Sequence, residues 1–222
     1  MMGSAREAIR TAAKAVSALR LLPHIAILLL APENGLVRAD LGRWGEILFK
    51  HRPATRLQEL GLFLELMTFA PAYRNVFYLR IGLLGKLLPI LCPPLGTLEI
   101  VPGQIGPGLF IQHGIATLIS ADKIGANCWI NQQVTIGFSN DTDRPTIGDN
   151  VIISAGAKVI GKVRIGDNVR IGANSAVLSD VPANATVLGV PATVLWSRPG
   201  RAASVAPGAG ARPAPAGTQG DA

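Results

Sequence analysis

Of the three histidines in this 222-residue chain, His24 and His51 precede its repetitive part and His113 lies inside it. Histidine ionises near neutral pH, so it can take a proton from a weak nucleophile such as a hydroxyl and pass it on. His113 directly precedes Gly114 and sits beside a slip in the repeat. At a slip, a polar side chain can leave a stacked wall and face a cleft. Cys92 and Cys128 lack metal-ligand spacing and read as small buried apolar residues in a reducing compartment.

A beat of six positions His113. From Ile147 an aliphatic anchor recurs at Ile153, Val159, Ile165, Ile171 and Val177 without slipping. Gly follows the anchor at Gly148, Gly166 and Gly172, and Val151, Ala157, Val163, Val169 and Ser175 stand four places after successive anchors. The beat also runs through Ile124, Ile130 and Ile136, and through Ile105 and Ile111. It breaks twice, by one extra residue after His113 between Ile111 and Leu118, and by the interruption from Phe138 to Thr146. Each hexad predicts a short strand and a turn, with the anchor pointing inward onto its counterpart one coil away. The glycine after the anchor is expected to supply positive φ at a tight turn.

Residues 1–95 lack this beat and form an expected α-helical region. Leu57, Leu60, Leu64 and Met67 fall at helical spacing, with Arg56 and Glu59 available for an outer face. A second helix is expected from Tyr73 to Leu88, before Pro93, Pro94 and Gly96 punctuate the chain. The repeat occupies 97–196. Residues 198–222, rich in Ala, Gly and Pro, bury too little to offset ordering entropy and are expected to be disordered.

Hydrophobic residues make up 49% and aromatic residues 5%, so the core must be filled by Ile, Val, Leu and Ala, which suits narrow stacked layers. The net charge of +7 admits an anionic ligand or an anionic membrane surface. Nucleic acid is set aside, because the basic residues are scattered and no aromatic-basic module is present. The apolar run Leu21 to Ala31 superficially resembles a signal peptide, but Pro23 and His24 interrupt it. Its unbroken part, Ile25 to Ala31, falls far short of the about 20 residues a membrane span needs. A cytoplasmic protein with scope for peripheral membrane contact is expected.

The hexads, closed by Gly-Val-Pro-Ala at 189–192, resemble the hexapeptide-repeat acyltransferases. Within that superfamily the serine O-acetyltransferases and related polysaccharide O-acetyltransferases are most similar. The resemblance rests on Gly-Leu-Phe-Ile-Gln-His-Gly at 108–114, on residues 124–137 and 147–161, and on Leu-Val-Arg-Ala-Asp-Leu at 36–41. It implies a mainly β fold, a left-handed parallel β-helix behind the α-helical N-terminal region, assembled as a homotrimer. It also implies transfer of acetyl from acetyl-CoA to a hydroxyl without a metal, in cysteine biosynthesis if the acceptor is L-serine.

The resemblance further implies His113 as general base, with Glu99 in about the place of the carboxylate that orients it. Ala155 and Ala173 fall where acetyl-CoA is contacted, and Lys158 and Arg170 are candidates for its phosphates. Gln112, Asp143 and Arg144 fall where the acceptor is held. Two departures stand out. Gln112 occupies a place that is Asp in serine acetyltransferases, and the loop reads Asp143-Arg144-Pro145 without the family's second histidine and is shorter. Both weaken L-serine as acceptor and leave a sugar hydroxyl open. A zinc hydratase like the γ-type carbonic anhydrases needs three histidines, and the array holds only His113. A non-catalytic scaffold is the remaining alternative.

Overall fold

The computed structural model describes residues 2–197 apart from 34, 102 and 141; the tail at 198–222 lies outside the described residues. The repeat winds into a coil with three faces. The first face carries β1 (Leu98–Ile100), β4 (Thr117–Ile119), β7 (Thr135–Gly137), β10 (Lys158–Ile160) and β13 (Ala176–Val177). The second carries β2 (Gln104–Ile105), β5 (Lys123–Ile124), β8 (Thr146–Ile147) and β11 (Arg164–Ile165). The third carries β3 (Phe110–Ile111), β6 (Trp129–Ile130), β9 (Ile152–Ile153), β12 (Arg170–Ile171), β14 (Ala185–Leu188) and β15 (Thr193–Ser197). Pairing is parallel throughout except for β15, which folds back antiparallel on β14 and closes the top.

The anchors stack as the beat demands. On the third face Ile111, Ile130, Ile153, Ile171 and Val187 lie one above another, each 1% exposed or less. Burying each such side chain contributes roughly 1.5–3 kcal/mol, and the stack repeats this on all three faces. The secondary positions Val151, Ala157, Val163, Val169 and Ser175 are buried as well.

Two details of the repeat differ from expectation. Positive φ falls three places after the anchor, at Asn127, Asn150, Asn168, Asn174 and Asn184, and not at Gly148, Gly166 or Gly172. Asn tolerates this conformation and can bond locally; Asn150, Asn168 and Asn184 form a side-chain amide ladder across their coils. The glycines answer to crowding. A Cβ on Gly148 would stand 2.3 Å from the Asp167 carboxylate and 2.9 Å from the next coil's backbone. The second difference is at the His113 corner. The buried anchor there is Ile119, paired with Ile136, while Leu118 is only half-buried. The corner therefore holds two residues more than the regular step. The next step, Ile119 to Ile124, is one shorter than regular. The lower coil so advances nineteen positions, Leu98 to Thr117, against eighteen from Ile153 to Ile171.

Among the described residues six α-helices and one 3-10 turn (Leu88–Ile90) precede the coil: α1 (Met2–Arg20), α2 (Leu22–Leu30), α3 (Leu36–Phe49), α4 (Arg56–Phe69), α5 (Pro71–Arg80) and α6 (Leu84–Leu87). Pro23 lies in the first turn of α2 and starts that helix. Ile9–Arg20 and Leu22–Leu30 meet at 79°, and no single described helix is long and apolar enough to cross a membrane. The expected helix over 73–88 ends at Arg80, because Gly82 turns the chain at φ +57. The buried face of α4 is Phe63, Leu66 and Met67, while Leu57 is 79% exposed. The cause lies in α3: buried Arg38 donates to Leu28 O and Ala31 O at the end of α2 and pairs with Glu59, drawing Glu59 inward.

The helices also complete the bottom coil. The Asp40 carboxylate accepts the Gly108 and Leu109 N–H groups at 2.7 and 3.0 Å. Arg80 donates to Ile105 O and Gly106 O, both at 2.6 Å, and pairs with Asp40 at 2.7 Å. Trp44 Nε1 donates to Leu109 O at 2.8 Å. Side chains thus occupy the backbone groups that a preceding coil would otherwise pair. Burial pushes the Asp40 carboxyl up, opposed by Arg80 and the two N–H groups.

Candidate active site

His113 lies at the corner between β3 and β4, in a tight turn. Gly114 N–H donates to Gln112 O at 2.9 Å, closing a three-residue turn with His113 at its centre at φ +68. Gly114 and Ala116 also have positive φ, at +67 and +51. Positive φ at a residue with a Cβ is a local cost that the surroundings must hold in place, and it accumulates at functional sites. The effect is to lift His113 out of the wall, and its ring is exposed.

Register carries the corner upward. Two places beyond each stacked anchor of the third face stand His113, Gln132, Ala155, Ala173 and Gly189. Backbone bonds join this edge, with Gly156 N to Gln132 O at 3.0 Å and Asn174 N to Ala155 O at 2.9 Å. His113, Ala155 and Ala173 therefore share one edge, with the histidine at its lower end, Gln132 next and small residues above that.

Gln112 is held from the coil above. Trp129 Nε1 donates to Gln112 Oε1 at 3.1 Å and to Asn131 Oδ1 at 3.3 Å, and Asn131 Nδ2 donates to Ile153 O at 3.2 Å. The Trp129 ring packs edge-on against Phe110, which packs on Trp44 of α3, so the helices brace this wall. Trp129 and Asn131 were not singled out from the sequence. The signal was available, since both occupy outward positions one coil above Phe110 and Gln112.

The other candidates are dispersed. Glu99 is exposed on β1 and makes neither a hydrogen bond nor an ion pair with His113; it lines a cavity of about 420 Å³ with Asn75, Tyr78 and Lys86. The loop bearing Asp143 and Arg144 joins the first face to the second, on a different edge from His113. Asp143 turns back onto its own loop, accepting from Asn140 Nδ2 at 2.8 Å, whereas the half-buried Arg144 guanidinium has no partner among the described residues. Lys158 lies on the first face with Nζ 2.8 Å from Gln133 O and 3.0 Å from Thr135 Oγ1. Arg170 lies on the third face and is unpaired among the described residues. A larger cavity of about 670 Å³ on the second face includes Lys123 and Arg164 but not His113. Cys128 is no rival nucleophile, since burial pushes its thiol up to about 12.

Comparison with known proteins agrees with this architecture. The family of bacterial transferase hexapeptides (six repeats) matches residues 144–179. A serine acetyltransferase of Synechococcus elongatus is 37% identical over 164 residues, covering 68% of this chain and 65% of the relative. The serine acetyltransferase of Neisseria gonorrhoeae, solved with serine, is 32% identical with a TM-score of 0.53, covering 71% of this chain and 67% of that one. A serine acetyltransferase solved with CoA is 28% identical with a TM-score of 0.53, covering 71% of this chain and 68% of that one. The chain thus spans just under two thirds of the cyanobacterial relative's length. The shared fold is a left-handed parallel β-helix with N-terminal helices. A coil of stacked hexads, helices seated on its first turn and relatives of this kind together place the chain in the serine acetyltransferase-like group of the hexapeptide-repeat acyltransferases.

Proposed function

We propose that the protein is an acetyl-CoA-dependent O-acetyltransferase of the serine acetyltransferase type, with His113 as general base. The observation that carries this reading is the strained turn that lifts His113 onto the edge shared with Ala155 and Ala173. The acceptor hydroxyl attacks the thioester carbonyl carbon while His113 takes its proton. The tetrahedral oxyanion collapses, the C–S bond breaks, and the imidazolium returns the proton to the CoA thiolate. The products are an acetyl ester and free CoA. Backbone N–H groups at the turn serve the oxyanion. The small residues of the edge let the pantetheine arm lie close, and Arg170, without a partner among the described residues, meets a CoA phosphate.

Lys158 keeps its ammonium on its own coil and is the weaker phosphate candidate. Glu99 orients the imidazole only if its side chain swings from the α5 cleft. Asp143 and Arg144 reach the acceptor from a neighbouring copy, since their loop lies on another edge; a homotrimer supplies that neighbour. Relatives solved with serine and with CoA support acetyl-CoA as donor and make L-serine the first acceptor to test. A second reading, a sugar hydroxyl as acceptor, is favoured by the carboxamide at Gln112. An exposed apolar patch around Lys86, formed by Leu83, Leu84, Leu87 and Ile90, gives such a protein a means of resting on a membrane surface.

The test is free CoA release from acetyl-CoA with each acceptor, repeated with His113→Ala. Loss of acceptor-dependent release with retained acetyl-CoA binding is the expected result. Unchanged release in His113→Ala would remove the histidine from the chemistry.

A further inference from the structure

The group beside the base has a fixed polarity, and that polarity restricts what the acceptor can carry next to its reacting hydroxyl. An indole N–H can only donate. Trp129 Nε1 is within hydrogen-bond distance of both Gln112 Oε1 and Asn131 Oδ1, at 3.1 and 3.3 Å, so both amide oxygens must face the indole. The alternative orientation would set N–H against N–H. Asn131 Nδ2 on Ile153 O at 3.2 Å agrees with that assignment for the second amide. Both N–H donors of Gln112 are then left uncommitted, because Gln112 makes no other side-chain hydrogen bond among the described residues.

The orientation is well supported. Trp129 is clamped edge-on against Phe110 at 4.9 Å, and Phe110 is 1% exposed beneath Trp44. Gln112 N–H is itself bonded to Ile130 O at 2.8 Å. A flip of the amide would forfeit the indole bond. The residue next in register, Asn131, is also a carboxamide, and among the described residues no carboxylate hydrogen-bonds or pairs with it or with Gln112. An ammonium set against the Gln112 amide would meet N–H donors where it needs an acceptor.

We infer that Gln112, fixed by Trp129, is a specificity-determining residue that selects an acceptor carrying an uncharged oxygen beside the reacting hydroxyl, as in a polyol or sugar, and disfavours one carrying an α-ammonium. This rests on the acetyl-transfer reading above and names its acceptor class. Replacing Gln112 by Glu keeps the shape and the oxygen that meets the indole, and converts the outward donors into an acceptor with charge.

The experiment compares kcat/KM for CoA release with L-serine, with L-glycerate, in which a hydroxyl replaces the ammonium, and with methyl α-D-glucopyranoside. Wild type and Gln112→Glu are run side by side. The wild type is expected to favour glycerate or the glucoside over serine by roughly tenfold or more, the discrimination an unmatched polar group brings. Gln112→Glu is expected to move the ratio toward serine by a similar factor. Preference for serine in the wild type, or a ratio unmoved by Gln112→Glu, overturns the inference while leaving acetyl transfer intact. Release with none of the three also overturns it. If acetyl-CoA then fails to bind as well, the acetyl-transfer reading falls separately.

Discussion

The upper and lower coils of the β-helix are made from the same hexads and behave differently. From Ile147 to Val177 every step is six residues, every anchor is buried, and the edge that continues from His113 and Gln132 carries the small Ala155 and Ala173. From Leu98 to Thr146 the coils are stretched, one corner turns through three positive-φ residues, and a loop is let into the next edge. The regular half resists change because each coil is the template for its neighbour. The irregular half is where side chains with chemistry leave the wall. Stability and function are therefore divided along the axis of one solenoid.

The sharpest way to break this division is at the strained corner. His113→Ala is expected to lower acceptor-dependent CoA release about 10²- to 10⁴-fold, the range for a lost general base, with little change in urea midpoint. A midpoint that drops along with activity would make the corner structural. At the coil's foot, Asp40→Ala leaves Arg80 buried and unpaired and is expected to cost about 3–5 kcal/mol in urea unfolding. In the regular half, Ile153→Ala removes a fully buried anchor and is expected to cost about 2–5 kcal/mol. Gly148→Ala drives a Cβ against the Asp167 carboxylate and the next coil, and overpacking of this kind costs about 1–3 kcal/mol. If Gly148→Ala proves neutral, the coils are less tightly stacked than their register implies.

The smallest effect belongs to the helices. His24 is buried, with Nε2 at 3.0 Å from Tyr78 OH and Nδ1 unpartnered. Burial, and then the charge of Arg20, lower its pKa from the ordinary 6.5. The folded state thus holds this proton less tightly than the unfolded chain does. The stability from neutral His24 is present above pH 6.5 and is lost as pH falls through the lowered value. Thermal melts from neutral pH downward are expected to show this slope in wild type and a flatter one in His24→Gln.

The repeat was legible because a single inward residue per hexad decides it, and that residue must be aliphatic wherever the coil is closed. His113 was legible for the same reason, as a polar residue at a break in the beat. What escaped is set by partners distant in sequence. The inward face of α4 depends on Arg38 drawing in Glu59, which no periodicity within α4 records. The glycines after the anchors are expected to serve φ, whereas their constraint is the neighbouring coil. The anchor beyond His113 is Ile119 and not Leu118, because the next coil's register decides which of two adjacent apolar residues turns in. The grip of Trp129 on Gln112 likewise spans two coils.

The two ends of the coil bear on how the protein behaves in a crowded solution. A stack of parallel strands exposes unsatisfied backbone at its first and last rungs, an invitation to end-to-end growth into fibres. At the top the antiparallel β15 reverses the strand direction and occupies the last rung. At the foot Asp40, Trp44 and Arg80 occupy the first. Because a buried ion pair and an indole do this work at one end, substitutions there threaten solubility as well as stability, and fibre formation is the defect to look for when Asp40 or Arg80 is lost.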